Sequence, residues 1–539
     1  MCMPTKNILM AKRQMPFFRS WAPEWLIKII LFSMTLPGII IFFLPLSNVN
    51  AAAGYYGCEP ADIQFSVALF YAGYVGFYSL ERRFFSFLAA KEYFLLFTTL
   101  QILACLICYC TREIGILLPV RFIQGMLFAG NVNLSLTLIF TRLSSERGRE
   151  ISFSVFFGIL ICALPFNNLI TADLIDSYNF NIVYKTAIFS YLPGLVFLAL
   201  TMSNYRTHAR FHLYKLDWQS FVLFSIILVL VGYISIFGQE YYWLEDRRIL
   251  AGVIGIIVLT GISIFRQQSI KRPYIDLRVF RYRNFKVGLL ILFVMYICRF
   301  ASGIVNTYFA AELHLDPFHI SYINIFNLAG LVIGVIIACC MVLQKKNIRY
   351  IWGAGFTMLL IFHGIMYYSF DVQADEFNYY IPLFVQGLGV GLIMVPTIIF
   401  IISSVPSAIG PSAAAAALTI RYLGFCASIA LINFFELFEK SRHYNAFQDH
   451  LSAVDPAVKI FLHRQTAKLA AGGMPEGKAI KAANKLLTGR LNAQNHVRFA
   501  MDYYEIMVWI LAASLLLIVL FPYLNRTALY LKSRKLSPA

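Results

Sequence analysis

At 539 residues, 59% hydrophobic and only 13% charged, the chain has about half the charge of an ordinary soluble domain, which excludes a single water-soluble globule. Its formal charge of +18 invites a nucleic-acid reading, but the placement of the basic residues excludes it. Fourteen apolar segments lie at roughly 26–46, 63–80, 93–110, 116–141, 151–172, 183–202, 218–238, 249–265, 288–311, 319–343, 350–370, 380–404, 413–436 and 503–524. A helix needs about 20 mostly apolar residues to cross a bilayer, and most of these runs meet that length. Spanning strands would need about 10 residues of alternating polarity, a different pattern. Lipid offers unpaired backbone groups no partner, so the expected fold class is an all-α polytopic membrane protein.

In chain order, the first span is followed by Asn50-Ala51-Ala52-Ala53, a small-residue stretch like a cleavage site. The apolar run before it exceeds the roughly 7–15 residues of a signal h-region, so it reads as a retained helix. Cys105, Cys108 and Cys110 lie in an apolar span without His or acid at metal spacing and read as small buried hydrophobes. Short loops join spans one to six, ending near Met202. The pair 218–238 and 249–265 follows, then a basic loop, 266–287, and a second block of six begins at 288. A 6 + 2 + 6 layout predicts two six-helix bundles related by a repeat, with a site at their interface. The expected domains are 1–205, an inserted pair at 206–270, and 271–539. Within the last domain, loop 437–500 reads as two amphipathic helices, Pro456 to Ala470 and Pro475 to Leu491, broken at Gly472-Gly473. The alternative is a flexible loop lying on headgroups.

With the N-terminus inside, inner segments hold 28 of the 45 Lys/Arg, and short outer loops hold Arg112, Arg247 and Arg248 alone. This positive-inside bias predicts both termini in the cytoplasm and loop 437–500 outside. The basicity is therefore topological.

No paired carboxylates, His cluster or phosphate loop suggests an enzyme, a cofactor or a metal. Charge at bilayer depth is costly, about 2.5–3.5 kcal/mol on lenient scales, and marks functional candidates. Arg121 near the outer end of span four, Arg299 mid-span nine and Arg421 in the inner half of span thirteen are the candidates for a cavity. Gln124, Asn306, Tyr308, Tyr71 and Tyr74 are their candidate neighbours. Snorkelling to the interface is the alternative for Arg121. Acids lie only at span ends, with Asp173 and Glu312 best placed for proton coupling, while Glu81 and Arg82 sit in the loop after span two.

Several motifs resemble the major facilitator superfamily, specifically its fourteen-helix drug:proton antiporters. Arg121-Phe-Ile-Gln124-Gly125 is similar to the family's fourth-helix motif. Lys215-Leu-Asp217-Trp218 resembles its lead-in to the inserted pair, and Pro273 through Phe285 the approach to the second bundle. Gln386-Gly387-Leu-Gly389-Val-Gly391 with Pro396, Arg421-Tyr-Leu-Gly424 and Gln494 through Asp502 resemble its last three span motifs. The first-helix Asp has no counterpart, the Gly76 to Arg83 loop is one residue out of phase, and the span-five antiporter motif is reduced to Gly158 through Asn168. The resemblance implies a secondary transporter that exports a small amphiphile across the bacterial inner membrane by alternating access, with proton coupling. It also implies a periplasmic membrane-fusion adaptor as partner at loop 437–500. A dedicated carrier of one metabolite, working in export or in uptake, and a transport-dead scaffold or sensor of the same fold are the alternative readings. The uncompensated arginines point to an anionic cargo.

Overall fold

In a computed structural model, residues 17–85, 88–142, 148–204, 216–270, 273–451 and 455–520 are described. Fourteen helices among them are long and apolar enough to cross a membrane. The first bundle comprises α1 (Glu24–Ser47), its short continuation α2 (Val49–Tyr56), α3 (Pro60–Phe85), α4 (Ala90–Cys110), α5 (Ile114–Arg142), α6 (Gly148–Ser177) and α7 (Ile182–Thr201). The inserted pair is α8 (Trp218–Phe237) and α9 (Arg247–Ser269). The second bundle is α10 (Arg283–Phe300), α11 (Ser302–Ala311), α12 (Pro317–Leu343), α13 (Ile348–Ser369), α14 (Phe377–Ser403), α15 (Gly410–His450), α16 (Pro456–Ala471) and α17 (Glu476–Leu520). The expected ninth span is thus two helices in line, α10 and α11, meeting at Ala301.

Side-chain caps set several of these starts. The carboxyls of Asp217, Asp246, Asp316 and Asp455 and the amide of Asn347 each accept from a backbone N–H in the first turn they precede. Gly57 ends α2 in the left-handed region, at φ 64°, where a side chain would be strained.

One crossing occurs twice, once in each bundle. A methyl group added to Gly125 of α5 would lie 1.9 Å from the Phe70 carbonyl oxygen of α3, and one on Gly73 of α3 would lie 2.1 Å from that of Phe122 in α5. In the second bundle a methyl on Gly387 of α14 would meet the Asn327 oxygen of α12 at 2.2 Å, and one on Gly330 of α12 the Phe384 oxygen at 2.1 Å. In all four cases the carbonyl belongs to the residue three before the partner glycine. Within lipid, helices associate through packing, and glycine pairs let backbones touch. The Gln-Gly steps at 124–125 and 386–387 are thus the two copies of one structural element.

The bundles meet along α6 against α12 and α3 against α15. The inserted pair seats through α8, which packs on both α3 and α15, and Tyr422 of α15 donates to the Leu228 carbonyl of α8 at 2.6 Å. Among spanning helices, α9 packs mainly on α8, and its outward face is apolar and exposed. The linker from α9 to α10 crosses between bundles. Tyr274 donates to the Gly76 carbonyl of α3, and the Asp276 N–H donates to Ser412 Oγ of α15 at 3.0 Å.

The segment 437–500 forms helices, as its composition suggests, yet its boundaries differ from the sequence reading. α15 runs unbroken to His450, and α17 runs unbroken from Glu476 into the last span. The apolar window put a break near residues 492–502, but polarity there does not interrupt backbone pairing. Asn495 donates to the Lys440 carbonyl and His496 meets Glu312 Oε1 at 2.9 Å, so the polar turn is used to join α17 to α15 and α11.

Candidate substrate site

Arg121 projects from α5 toward α1. Pro45 removes the N–H that would otherwise bond Ile41 O four residues back. The Arg121 guanidinium takes that place, donating to Ile41 O at 3.1 Å, to Phe42 O at 3.0 Å and to Gln124 Oε1 at 3.0 Å, with the Phe70 ring 4.6 Å away. Gln124 donates in turn to the Cys105 and Cys108 sulfurs, and Asn167 of α6 donates to Ile40 O at 2.8 Å. Arg121 is buried, and its described bonds serve the joint between α5 and α1.

Arg421 lies where the bundles meet. Its Nε donates to Tyr296 Oη of α10 at 2.7 Å. The ring centroids of Phe157 from α6 and of Tyr296 lie 5.4 and 5.7 Å from its guanidinium carbon. Tyr71 and Tyr74 of α3 are within electrostatic reach, and Tyr71 packs edge-on against Tyr422 with centroids 5.4 Å apart. Phe425 closes the group, 5.9 Å from Tyr71 and 5.2 Å from Phe300. Among the described residues, Arg421 Nη2 and Tyr71 Oη are both buried without a hydrogen-bond partner. Arg299, one turn beyond Tyr296, donates to the Ile161 carbonyl of α6 at 2.8 Å and lies within electrostatic reach of Arg421. Among the described residues neither arginine has a carboxylate partner. A buried guanidinium normally demands one.

The remaining candidates lie elsewhere. Asn306 accepts from Asn324, and Tyr308 bonds Tyr379 Oη at 2.9 Å and the Asp371 carbonyl, at the end of the second bundle beside the α13–α14 turn. Glu312 is paired with His496. Asp173 is exposed near the end of α6. Glu81 is buried and accepts from Tyr93 Oη at 3.2 Å and Asn133 Nδ2 at 3.1 Å, drawing α4 and α5 onto α3. The side chain of Arg82 lies outside the described residues. Sequence reasoning missed Tyr296, Phe157 and Phe425. The one available signal was that Tyr296 precedes Arg299 by three residues, so both share a helix face.

No protein-family profile matches the chain. Among curated relatives, it is 21% identical over 337 residues to the colistin resistance protein EmrB of Acinetobacter baumannii, covering 61% of this chain and 64% of that protein. It is 25% identical over 321 residues to the fatty acid resistance protein FarB of Neisseria gonorrhoeae, covering 56% and 57%. It is 21% identical over 313 residues to the multidrug export protein EmrB of Escherichia coli, covering 56% and 58%. The chain thus spans less than two thirds of the length of these relatives. Its fold is similar to that of a solved POT family transporter at TM-score 0.56 and 12% identity, covering 95% of this chain and 99% of that one. With fourteen spans on a two-bundle plan and a glycine crossing repeated between the bundles, the chain has the fold of a solved POT family transporter and is similar in sequence to efflux proteins.

Proposed function

We propose that the chain is a secondary transporter that exports a small acidic amphiphile by alternating access, with proton coupling. The observation that carries this reading is Arg421. It is buried between the bundles, holds one nitrogen without an acceptor among the described residues, stands beside Arg299 and is walled by Tyr71, Tyr74, Phe157 and Tyr296. A carboxylate answers a forked guanidinium well, and the rings would cover the apolar body. Glu312 could have neutralised this charge but is committed to His496. The name of FarB, a fatty acid resistance protein, fits an anionic cargo. Candidates for the proton are Asp173 and Glu312; Glu81 and Arg82, expected in the loop after span two, instead lie in the last turns of α3, where the helix runs on to Phe85.

The positive-inside bias supports cytoplasmic termini in a bacterial inner membrane. The α15–α16–α17 hairpin would then stand in the periplasm. At 41 residues α15 is about 62 Å long, twice a hydrocarbon core, and exposed Ile460, Ile480 and Leu486 suit a membrane-fusion adaptor as partner.

The decisive experiment is transport by protein reconstituted in vesicles, with and without a proton gradient. Replacement of Arg421 or Arg299 with Gln should raise the KM for acidic amphiphiles about tenfold, the equivalent of one charged hydrogen bond, and leave cationic dyes unaffected. Strong cationic-dye export, with acidic compounds ignored, overturns the anionic reading. No flux of either class overturns transport.

A further inference from the structure

The inserted helix pair carries a second, independent feature. A groove of about 720 Å³ runs between α8 and α9 at the membrane face where α8 begins and α9 ends. Its walls are Trp218, Val222, Leu223, Ile262 and Phe265, and its mouth holds Gln219, Arg266 and Ser269. Phe265, Ile262 and Val222 are well exposed, and α9 has little protein on its far side, so the groove opens to lipid rather than to the interior.

Arg266 makes this more than a greasy surface. Its Nε donates to Ser220 Oγ at 3.0 Å and its Nη2 to Asp217 Oδ1 at 2.8 Å. These bonds hold the guanidinium at the groove mouth. Among the described residues Nη1 makes no bond and remains available. The surroundings are basic: the loop 266–287 holds seven Lys/Arg and one acid, Asp276, and the side chains of Arg278, Arg281 and Lys286 are exposed. Trp218, half-exposed beside the mouth, is placed as an interfacial anchor. Together these features present an acyl-sized apolar slot with a positioned donor and a positive field at headgroup depth.

We infer that the α8–α9 groove binds an anionic glycerophospholipid of the bilayer, one acyl chain lying between Val222 and Phe265 and the phosphate meeting Arg266 Nη1. The charge of the rim selects the headgroup, since each basic side chain near an anionic lipid is worth about 1 kcal/mol. The inserted pair thereby becomes a lipid-reading element attached at the seam of α3 and α15. This inference does not rest on the cargo proposed above.

Native mass spectrometry of the detergent-purified full chain, titrated with phosphatidylglycerol or phosphatidylcholine, tests it. Phosphatidylglycerol should bind more tightly. Arg266→Gln should weaken its binding about fivefold and leave phosphatidylcholine unchanged, the fold-change of one basic side chain. Val222→Trp fills the slot without touching charge and should weaken both lipids. Equal affinity of the wild type for the two lipids overturns the headgroup selection. Unchanged binding in Val222→Trp overturns the site. If Arg266→Gln unfolds for want of its Asp217 pair, the wild-type selectivity and the Val222→Trp titration still decide.

Discussion

Arg121 donates to the carbonyl of Ile41, the acceptor that Pro45, four residues further on, leaves unpaired. A charge in the first bundle is thus bound into a helix joint. The charges of Arg299 and Arg421 face the seam between bundles, where no described carboxylate meets them.

Arg121→Leu should destabilise the protein by about 3 kcal/mol, because two buried carbonyls of α1 lose a charged donor. In a Pro45→Ala background the cost should be smaller, since alanine restores the missing N–H. Thermal unfolding in detergent of the wild type, the two single variants and the double variant measures this coupling. Additive losses would show that the two residues act independently.

Gly125→Ala and Gly387→Ala should each sharply reduce folded yield, because the added methyl would sit 1.9 and 2.2 Å from facing carbonyl oxygens, and backbone rather than a flexible side chain would have to move. Gly115→Ala and Gly353→Ala meet nothing within 4 Å and should be neutral or mildly stabilising, as Ala is the better helix former. Size-exclusion profiles of the four variants check the contrast.

Tyr296→Phe removes the acceptor that orients Arg421 while keeping the ring. Transport of acidic amphiphiles should fall several-fold through KM, with fold and thermal stability retained. A loss in maximal rate at unchanged KM would place Tyr296 in the conformational cycle instead.

The linker between α9 and α10 should respond to acid. Hydrogen bonds from Arg278 hold the Asp276 carboxyl below its ordinary range. A carboxyl whose folded pKa lies below its unfolded value adds stability above the unfolded value, and that contribution is lost as pH falls through the folded one. The turn Leu277–Arg281 should therefore stay protected near neutrality and loosen below about pH 4. Hydrogen exchange across 274–281 should show this step, and Asp276→Asn should abolish it.

Single cysteines at Ala467 on α16 and at Ser407 between α14 and α15 test orientation, in a background lacking Cys110 and Cys340. An impermeant thiol reagent added outside should label the first and miss the second. The reverse pattern inverts the proposed topology.

The fourteen spans, the 6 + 2 + 6 layout and the helical nature of 437–500 were legible in sequence, because lipid forces spans to be apolar, helical and of a set length. The Gln-Gly steps at 124–125 and 386–387 were visible as motifs, though their identity as two copies of one crossing emerges only when Gly73 and Gly330 are seen opposite them. Boundaries failed where polarity and backbone pairing part company: hydropathy sees residues 492–502 as a gap, whereas hydrogen bonding carries α17 straight through it. The fates of the three arginines could not be read either. A charge within a span is costly, so sequence marks Arg121, Arg299 and Arg421 as candidates and separates them only by depth. Which one meets freed carbonyls and which meets a ring of aromatics depends on residues 80 to 264 positions away, such as Ile41 for Arg121 and Phe157 for Arg421, and only packing brings those together.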